Sequence, residues 1–296
     1  MKNLLRIVAA IVIVLIIAFI GISAYLGHDL TRVERIPVKG SPADNGLAYE
    51  DVSFPSFYKE LNLSGWFIPA AGSDRVIIMV HGNGGNRNNR HSGALDIAEG
   101  LVEHGFNVLM FDLHGHGESE GDTASGGYYE GQDLEGAVAY LKQRGYENIG
   151  VLGFSLGAVT ALLAAAEDGD IDAVVADSSF ADLNDIIGQE FSMRTKAPKF
   201  LLHPILFMIK IMYGVDFTAI RPVEVVSKIA PRPILFIHGE ADDMIPVEHS
   251  QRLLEASQNP GNSLWLVPGG HTSAYYDFPT EFMERVTDFF DAALPD

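Results

Sequence analysis

Three residue types in one order along the chain, Ser155, Asp242 and His271, offer the parts of a nucleophilic acyl-transfer site. Ser155 lies in Gly153-Phe154-Ser155-Leu156-Gly157, a G-x-S-x-G pentapeptide that carries mechanical meaning only between a strand and a helix. Both flanks fit: Ile149, Val151 and Leu152 read as a buried strand, and Ala158–Glu167 is rich in strong helix formers. Glycine on each side lets the turn adopt a strained backbone and aim the hydroxyl outward. A free serine hydroxyl is a weak nucleophile, so it needs a base and a group to orient that base. "PGGHTS" (268–273) supplies His271, and "HGEADDMIP" (238–246) supplies a carboxylate, Asp242, with Asp243 as its rival. His271 can take the serine proton and return it to a leaving group, while the carboxylate holds the imidazole tautomer.

The elements that must position these groups alternate. "RVIIMV" (75–80), "NVLMF" (107–111), "IGVLG" (149–153), "DAVVAD" (172–177), "PILFIHG" (233–239) and "SLWLVP" (263–268) are short apolar runs of buried-strand composition. Helical patterns over 91–104, 132–144, 158–168, 247–257 and 279–294 separate or follow them. That rhythm predicts an α/β fold with a mostly parallel sheet covered on both faces, to which 61–70 adds an antiparallel edge strand. Ligands of such sheets bind at the carboxyl ends of strands, where "HGNGGN" (81–86), Ser155 and the Asp242 and His271 loops all fall. Between 177 and 233 the connection is far longer than usual, which marks a cap insertion at about 181–228. Within it, "FLLHPILFMIKIMYG" (200–214) is strongly apolar: a helix packed on the domain, or a lid facing an acyl pocket or a bilayer.

These four motifs in this order resemble the α/β-hydrolase superfamily, in its serine-hydrolase branch with HGN-G-N loops and short caps: BEM46-like proteins and relatives of the prolyl-oligopeptidase and dienelactone-hydrolase groups. The resemblance spans residues of about 48–294. It implies an α/β-hydrolase fold, selects Asp242 over Asp243 by its distance from the preceding histidine, and assigns the oxyanion hole to the Asn83 and Leu156 amides. "FDLHGHGESEG" (111–121) resembles the family's D-x-R-G-x-G-x-S loop, with His114 where arginine is usual.

Other residues carry plainer expectations. His81 and His238 should hydrogen-bond loop backbone, and His114 and His116 should stabilise a turn, since no third ligand at matching spacing supports a metal site. Asp177 reads as structural, with substrate contact as the alternative. Asn86, Asn88 and Asn89 with Arg87 and Arg90 should cap and begin a helix, or else hold an acidic substrate group. Phe154 is a candidate substrate-pocket wall and equally a packing residue.

The 296 residues carry 39 acidic and 20 basic side chains, a formal charge of -19, which disfavours nucleic acid and anionic surfaces as partners. The chain has no cysteine, which excludes disulfides and thiolate chemistry. Membrane attachment must therefore come from apolar sequence, and Ile7 to Leu26 gives about 20 residues without a charge, the length of a bilayer-spanning helix. A cleaved signal peptide, giving a secreted protein, is the competing reading, although its apolar region is usually shorter. Lys2 and Arg6 precede the span while Arg32, Arg35 and Lys39 follow it; the reading favours a single-pass protein with an extracytoplasmic catalytic domain.

The expected organisation is an anchor over 1–27, a connector over 28–47 and a hydrolase domain over 48–296. The expected function is a serine hydrolase of carboxylic esters, lipid or thioester substrates included, with a small ester or acyl compound as substrate and neither cofactor nor metal. An acyltransferase or peptidase of the same fold is the alternative, and a catalytically silent binding protein the alternative from another class. The sequence leaves the oligomeric state open.

Overall fold

The computed structural model describes residues 1–196 and 198–295. The chain forms two compact units, one of Met1–Arg32 with Leu183–Ile220, the other of Val33–Asp182 with Arg221–Asp296.

The larger unit holds eight strands: β1 (Glu50–Pro55), β2 (Asn62–Ile68), β3 (Arg75–Val80), β4 (Asn107–Phe111), β5 (Asn148–Phe154), β6 (Ala173–Asp177), β7 (Ile234–Gly239) and β8 (Ser263–Val267). They form one sheet in the order β1-β2-β4-β3-β5-β6-β7-β8, antiparallel at β1-β2 and β2-β4 and parallel elsewhere. β4 to β6 are buried at nearly every position, which explains why they read as unbroken apolar runs rather than alternating ones. β2 is antiparallel as expected but is not the edge. That place belongs to β1, which begins Glu50-Asp51 and buries only Phe54, so its sequence carries little strand signal.

Of the chain's helices, α1 (Lys2–Thr31) belongs to the smaller unit, and α2 (Ala94–Glu103), α3 (Tyr128–Gln143) and α4 (Leu156–Glu167) cover the sheet. α5 (Leu183–Thr195) and α6 (Leu202–Tyr213) are again in the smaller unit; α7 (Pro222–Val225), α8 (Glu248–Ser257), α9 (Ala274–Asp277) and α10 (Pro279–Ala293) complete the larger one. Two apolar cores follow. Leu134, Leu141, Ala158, Leu162 and Leu253 from α3, α4 and α8 pack on one sheet face; Ile97, Leu101, Phe282 and Phe290 from α2 and α10 pack on the other.

One topological feature positions the site. From β3 the chain steps outward to β4 and then returns to β5 on the other side of β3. The loops leaving β3 and β5 therefore diverge, and a crevice opens at their carboxyl ends. Gly82 and Ser155 meet there: a Cβ built on Gly82 would sit 3.1 Å from the Ser155 Cβ and 3.7 Å from its Oγ.

In the smaller unit, α1 runs on to Thr31, past the apolar stretch, with the Thr31 hydroxyl donating to the carbonyls of Gly27 and His28. By length and composition this helix can cross a bilayer. The insertion occupies Leu183–Ile220, narrower than the expected 181–228, because Arg221 onward packs with the sheet unit. It contributes α5, which the sequence reading did not single out, as well as α6. A cavity of about 570 Å³ lies within this unit, lined by α5 and α6 residues including Gln189, Ser192, Leu202 and Leu206.

Candidate active site

The turn at Ser155 is strained. Its φ of 54° is positive in a non-glycine residue, a conformation that costs on the order of 1–3 kcal/mol. Two features hold it. The Ser155 amide donates to the Asp177 carbonyl at 2.8 Å, tying the turn to the neighbouring strand end. Gly157 packs so tightly under β3 that a Cβ would lie 2.1 Å from the Val80 carbonyl oxygen, which only glycine allows.

The serine hydroxyl lies 2.9 Å from His271 Nε2, and His271 Nδ1 lies 2.7 Å from Asp242 Oδ2. Nδ1 faces a carboxylate and so carries the proton, which leaves Nε2 free to accept from Ser155. Asp242 is buried and its second oxygen, Oδ1, accepts the amides of Met244 and Ile245, each at 2.9 Å. Burial opposes its charge, yet the hydrogen bonds from His238, His271 and the Ile245 amide outweigh that and hold its carboxyl well below the usual range. Asp243, the rival, is exposed.

His238 does more than the sequence indicated. Its Nε2 donates to the Ile245 carbonyl at 2.8 Å and stands 3.4 Å from Asp242 Oδ2, while Nδ1 faces the Ser250 hydroxyl at 2.6 Å. Asp242 is thus flanked by two imidazoles, one aimed at the serine and one fixed in the loop. His81 and His116 brace the loop after β3. His81 Nε2 accepts the Leu113 amide and its Nδ1 donates to the Gly82 carbonyl; burial, with His116 beside it, pushes its pKa down to about 3, so the ring is neutral. His116 Nε2 accepts the Gly84 amide at 3.2 Å and Nδ1 donates to the His114 carbonyl. With the Gly85 amide bound to the Gly82 carbonyl, the amides of Gly84 and Gly85 are both engaged. Leu156 opens α4, where first-turn amides have no partner inside the helix.

His114 pairs with Asp133 at 2.6 Å, both buried, and Asp133 also accepts the Ser56 hydroxyl and the His114 amide. Burial alone would lower the His114 pKa, but the hydrogen bond and charge of Asp133 raise it. Arg87 meets Asp112 through Nη1 at 2.5 Å and through its amide, pairs with Glu118 and lies over the Trp66 ring. Asn86 and Asn88 donate to the carbonyls of Ile36 and Lys39, and Asn89 accepts the His91 amide. Asn89 caps the short turn Arg90–Ser92, and Asn86 accepts the Asn88 amide two residues on; Arg87, Asn86 and Asn88 also fasten the connector and the β4 loop. Phe154 is buried in the core on the α2 and α10 face and also lines a small cavity beside His81 and Arg87. Among the described residues no group of His, Cys, Asp or Glu side chains is arranged to hold a metal ion.

Ser178 was missed. Its hydroxyl donates to Asp177 Oδ1 at 2.9 Å and accepts the Thr272 amide at 3.1 Å, one residue beyond His271. Ser155, Ser178 and Thr272 all have positive φ, so three strained residues sit at one junction between the Ser155 turn and the His271 loop. Its only sequence signal is its place at the carboxyl end of β6. Asp177 is buried, its Oδ2 makes no hydrogen bond, and burial raises its pKa to about 6 despite the Ser178 bond.

Residues 75–202 match the alpha/beta hydrolase fold family. The chain is 33% identical over 244 residues to the uncharacterized protein YqkD of Bacillus subtilis, covering 80% of this chain and 77% of that one. It is 28% identical over 243 residues to YfhR of Escherichia coli K12, covering 78% and 77%. Among solved structures it resembles the Pyrococcus furiosus esterase Pf2001, with a TM-score of 0.76 and 29% identity over 90% of this chain and 98% of that one. The chain belongs to the α/β-hydrolase superfamily. Its fold and an esterase as structural neighbour together support a hydrolase.

Proposed function

We propose that this protein is a membrane-anchored serine hydrolase that cleaves carboxylic esters through an acyl-enzyme. The carrying observation is the unbroken relay from Ser155 Oγ to His271 to Asp242, at 2.9 and 2.7 Å. Ser155 attacks the ester carbonyl as His271 Nε2 takes its proton. Asp242 stabilises the imidazolium and does not itself become protonated. The Asn83 and Leu156 amides receive the oxyanion, a contribution of a few kcal/mol per donor to lowering the barrier. His271 then protonates the departing alkoxide, and the acyl group stays on Ser155. In the second half, water gives a proton to His271 and attacks the acyl carbon; the bond to Ser155 Oγ breaks as His271 returns that proton to it, and the acid is released.

Carboxylic esters are favoured because their hydrolysis needs nothing beyond these groups. The anchor reading gains support from α1 itself, whose last turns pack against α6. Cleavage after Ala24 would remove part of that packing surface.

The test is hydrolysis of p-nitrophenyl esters, from acetate to palmitate, by the full-length protein in detergent micelles or nanodiscs. Turnover with a chain-length optimum is expected. A folded protein that turns over none of them would refute the reading.

A further inference from the structure

α6 is apolar around most of its circumference. Leu202, Ile205, Leu206 and Ile209 are buried, but Phe207 and Ile211, one turn apart, are 62% and 61% exposed, with Met212 exposed beside them. Phe200, in the short turn before the helix, is exposed as well. A contiguous patch of large apolar side chains with no protein cover marks an interaction surface.

The contact between α6 and α1 indicates what covers it. The buried positions of α1 are Ser23, Gly27 and Thr31, one face at a spacing of four. At Gly27 a Cβ would lie 3.1 Å from the Ile209 side chain and 3.4 Å from the Ile205 carbonyl oxygen, so the two backbones approach as helices do where one contributes small residues. One residue on, His28 Nδ1 lies 2.6 Å from the Tyr213 hydroxyl and the two rings stack. α6 is therefore fixed to residues 27 and 28 of α1. The charge-free stretch from Ile7 to Leu26 is about 30 Å long as a helix, the thickness of a bilayer's hydrocarbon core. Residues 27 and 28 then lie at the edge of that core, which places α6 at the same level.

We propose that α6 is an interfacial helix whose Phe207, Ile211 and Met212 face sits in the acyl-chain boundary of the bilayer that α1 crosses. The proposal rests on the reading of α1 as a membrane span. The attraction is apolar, since the chain's net charge of -19 gives an anionic surface no hold on it. Lys210, on the same side of the helix, has a long stem and pairs with Asp216 at 2.6 Å, as a charged head at the water boundary would. The exposed face of α6 is then bathed by lipid, where acyl compounds are dissolved at high local concentration.

The cysteine-free sequence makes the test direct. Phe207→Cys, Ile211→Cys and, in the middle of α1, Ile13→Cys are each made in the full chain, labelled with an NBD fluorophore and placed in phosphatidylcholine nanodiscs. Quenching by doxyl-labelled lipid is compared with quenching by aqueous iodide, and free NBD-cysteine sets the fully aqueous limit. Labels at 207 and 211 are expected to lose at least about half their emission to shallow doxyl lipid and to resist iodide. The label at 13 should respond best to a doxyl group deep in the chain. If 13 reports lipid while 207 and 211 report water, the span stands and the interfacial helix is refuted. Shielding of 207 and 211 from both quenchers would mean that a second copy of the chain covers the face, which also overturns the proposal. If 13 itself reports water, the span reading fails and the proposal fails with it.

Discussion

Replacing Asp242 by asparagine removes one charge and leaves the shape of the side chain unchanged. The surroundings decide how the amide must lie. Oδ1 accepts two backbone amides, from Met244 and Ile245, each at 2.9 Å, so the asparagine oxygen stays there. Turning the NH2 group toward those donors would leave two amides unsatisfied, at about 1–3 kcal/mol each. The NH2 therefore takes the place of Oδ2, 2.7 Å from His271 Nδ1, and donates to it. His271 must then carry its proton on Nε2, which points at Ser155 and can no longer accept from it. A reversed tautomer in a triad of this geometry lowers kcat by about 10⁴-fold, equivalent to about 5.5 kcal/mol of barrier. The assay is kcat/KM for a p-nitrophenyl ester, with circular dichroism and thermal melts to establish that the variant is folded. Asp243→Asn, at an exposed neighbour, should stay within about twofold of the unaltered enzyme. A folded Asp242→Asn variant that keeps a tenth or more of the original kcat/KM would refute the assigned relay.

Two further outcomes concern stability. Gly157→Ala would force a methyl group against the carbonyl oxygens of Val80 and His81, at 2.1 and 2.6 Å; such overpacking costs about 1–3 kcal/mol or more, so a denaturant midpoint close to that of the unaltered protein would contradict the account of the turn. Asp177 has a pKa raised to about 6 by burial, so the folded state holds its proton more tightly than the unfolded chain. Between the unfolded value near 4 and about 6 the folded state binds more protons, and stability from this group falls as pH rises through that window. Asp177→Asn cannot ionise. Relative to the variant, the unaltered protein should lose on the order of 1–3 kcal/mol between pH 4 and pH 7 in chemical denaturation, and a constant difference across that range would show that burial does not act on this carboxyl as described.

The buried parallel strands and the residues of the candidate site were legible in the sequence for one physical reason: parallel strands buried on both faces leave apolar runs, and polar loop residues follow at their carboxyl ends. Ser155, Asp242 and His271 each stand in a loop of that kind. What escaped depends on contacts between distant residues. β1 begins with two acids and buries little, so its pairing with β2 is visible only in three dimensions. Arg87 looked like part of a helix start or an anion site because nothing near it in sequence announces Asp112 or Glu118 as partners. Ser178 is a small polar residue among many, and only its bond to the Thr272 amide gives it a place beside the histidine loop. His238 was read as a backbone brace, which it is, yet its approach to Asp242 needs the loop to fold back over a single turn.

The central claim is that Ser155 is the activated nucleophile, and its reaction with a fluorophosphonate probe tests that most directly. The full-length protein should take up one phosphonyl group, mapped by mass spectrometry to the peptide containing Ser155. Ser155→Ala should not label, and His271→Ala should label far more slowly. A folded protein that resists the probe, or one whose label persists in Ser155→Ala, would contradict the account.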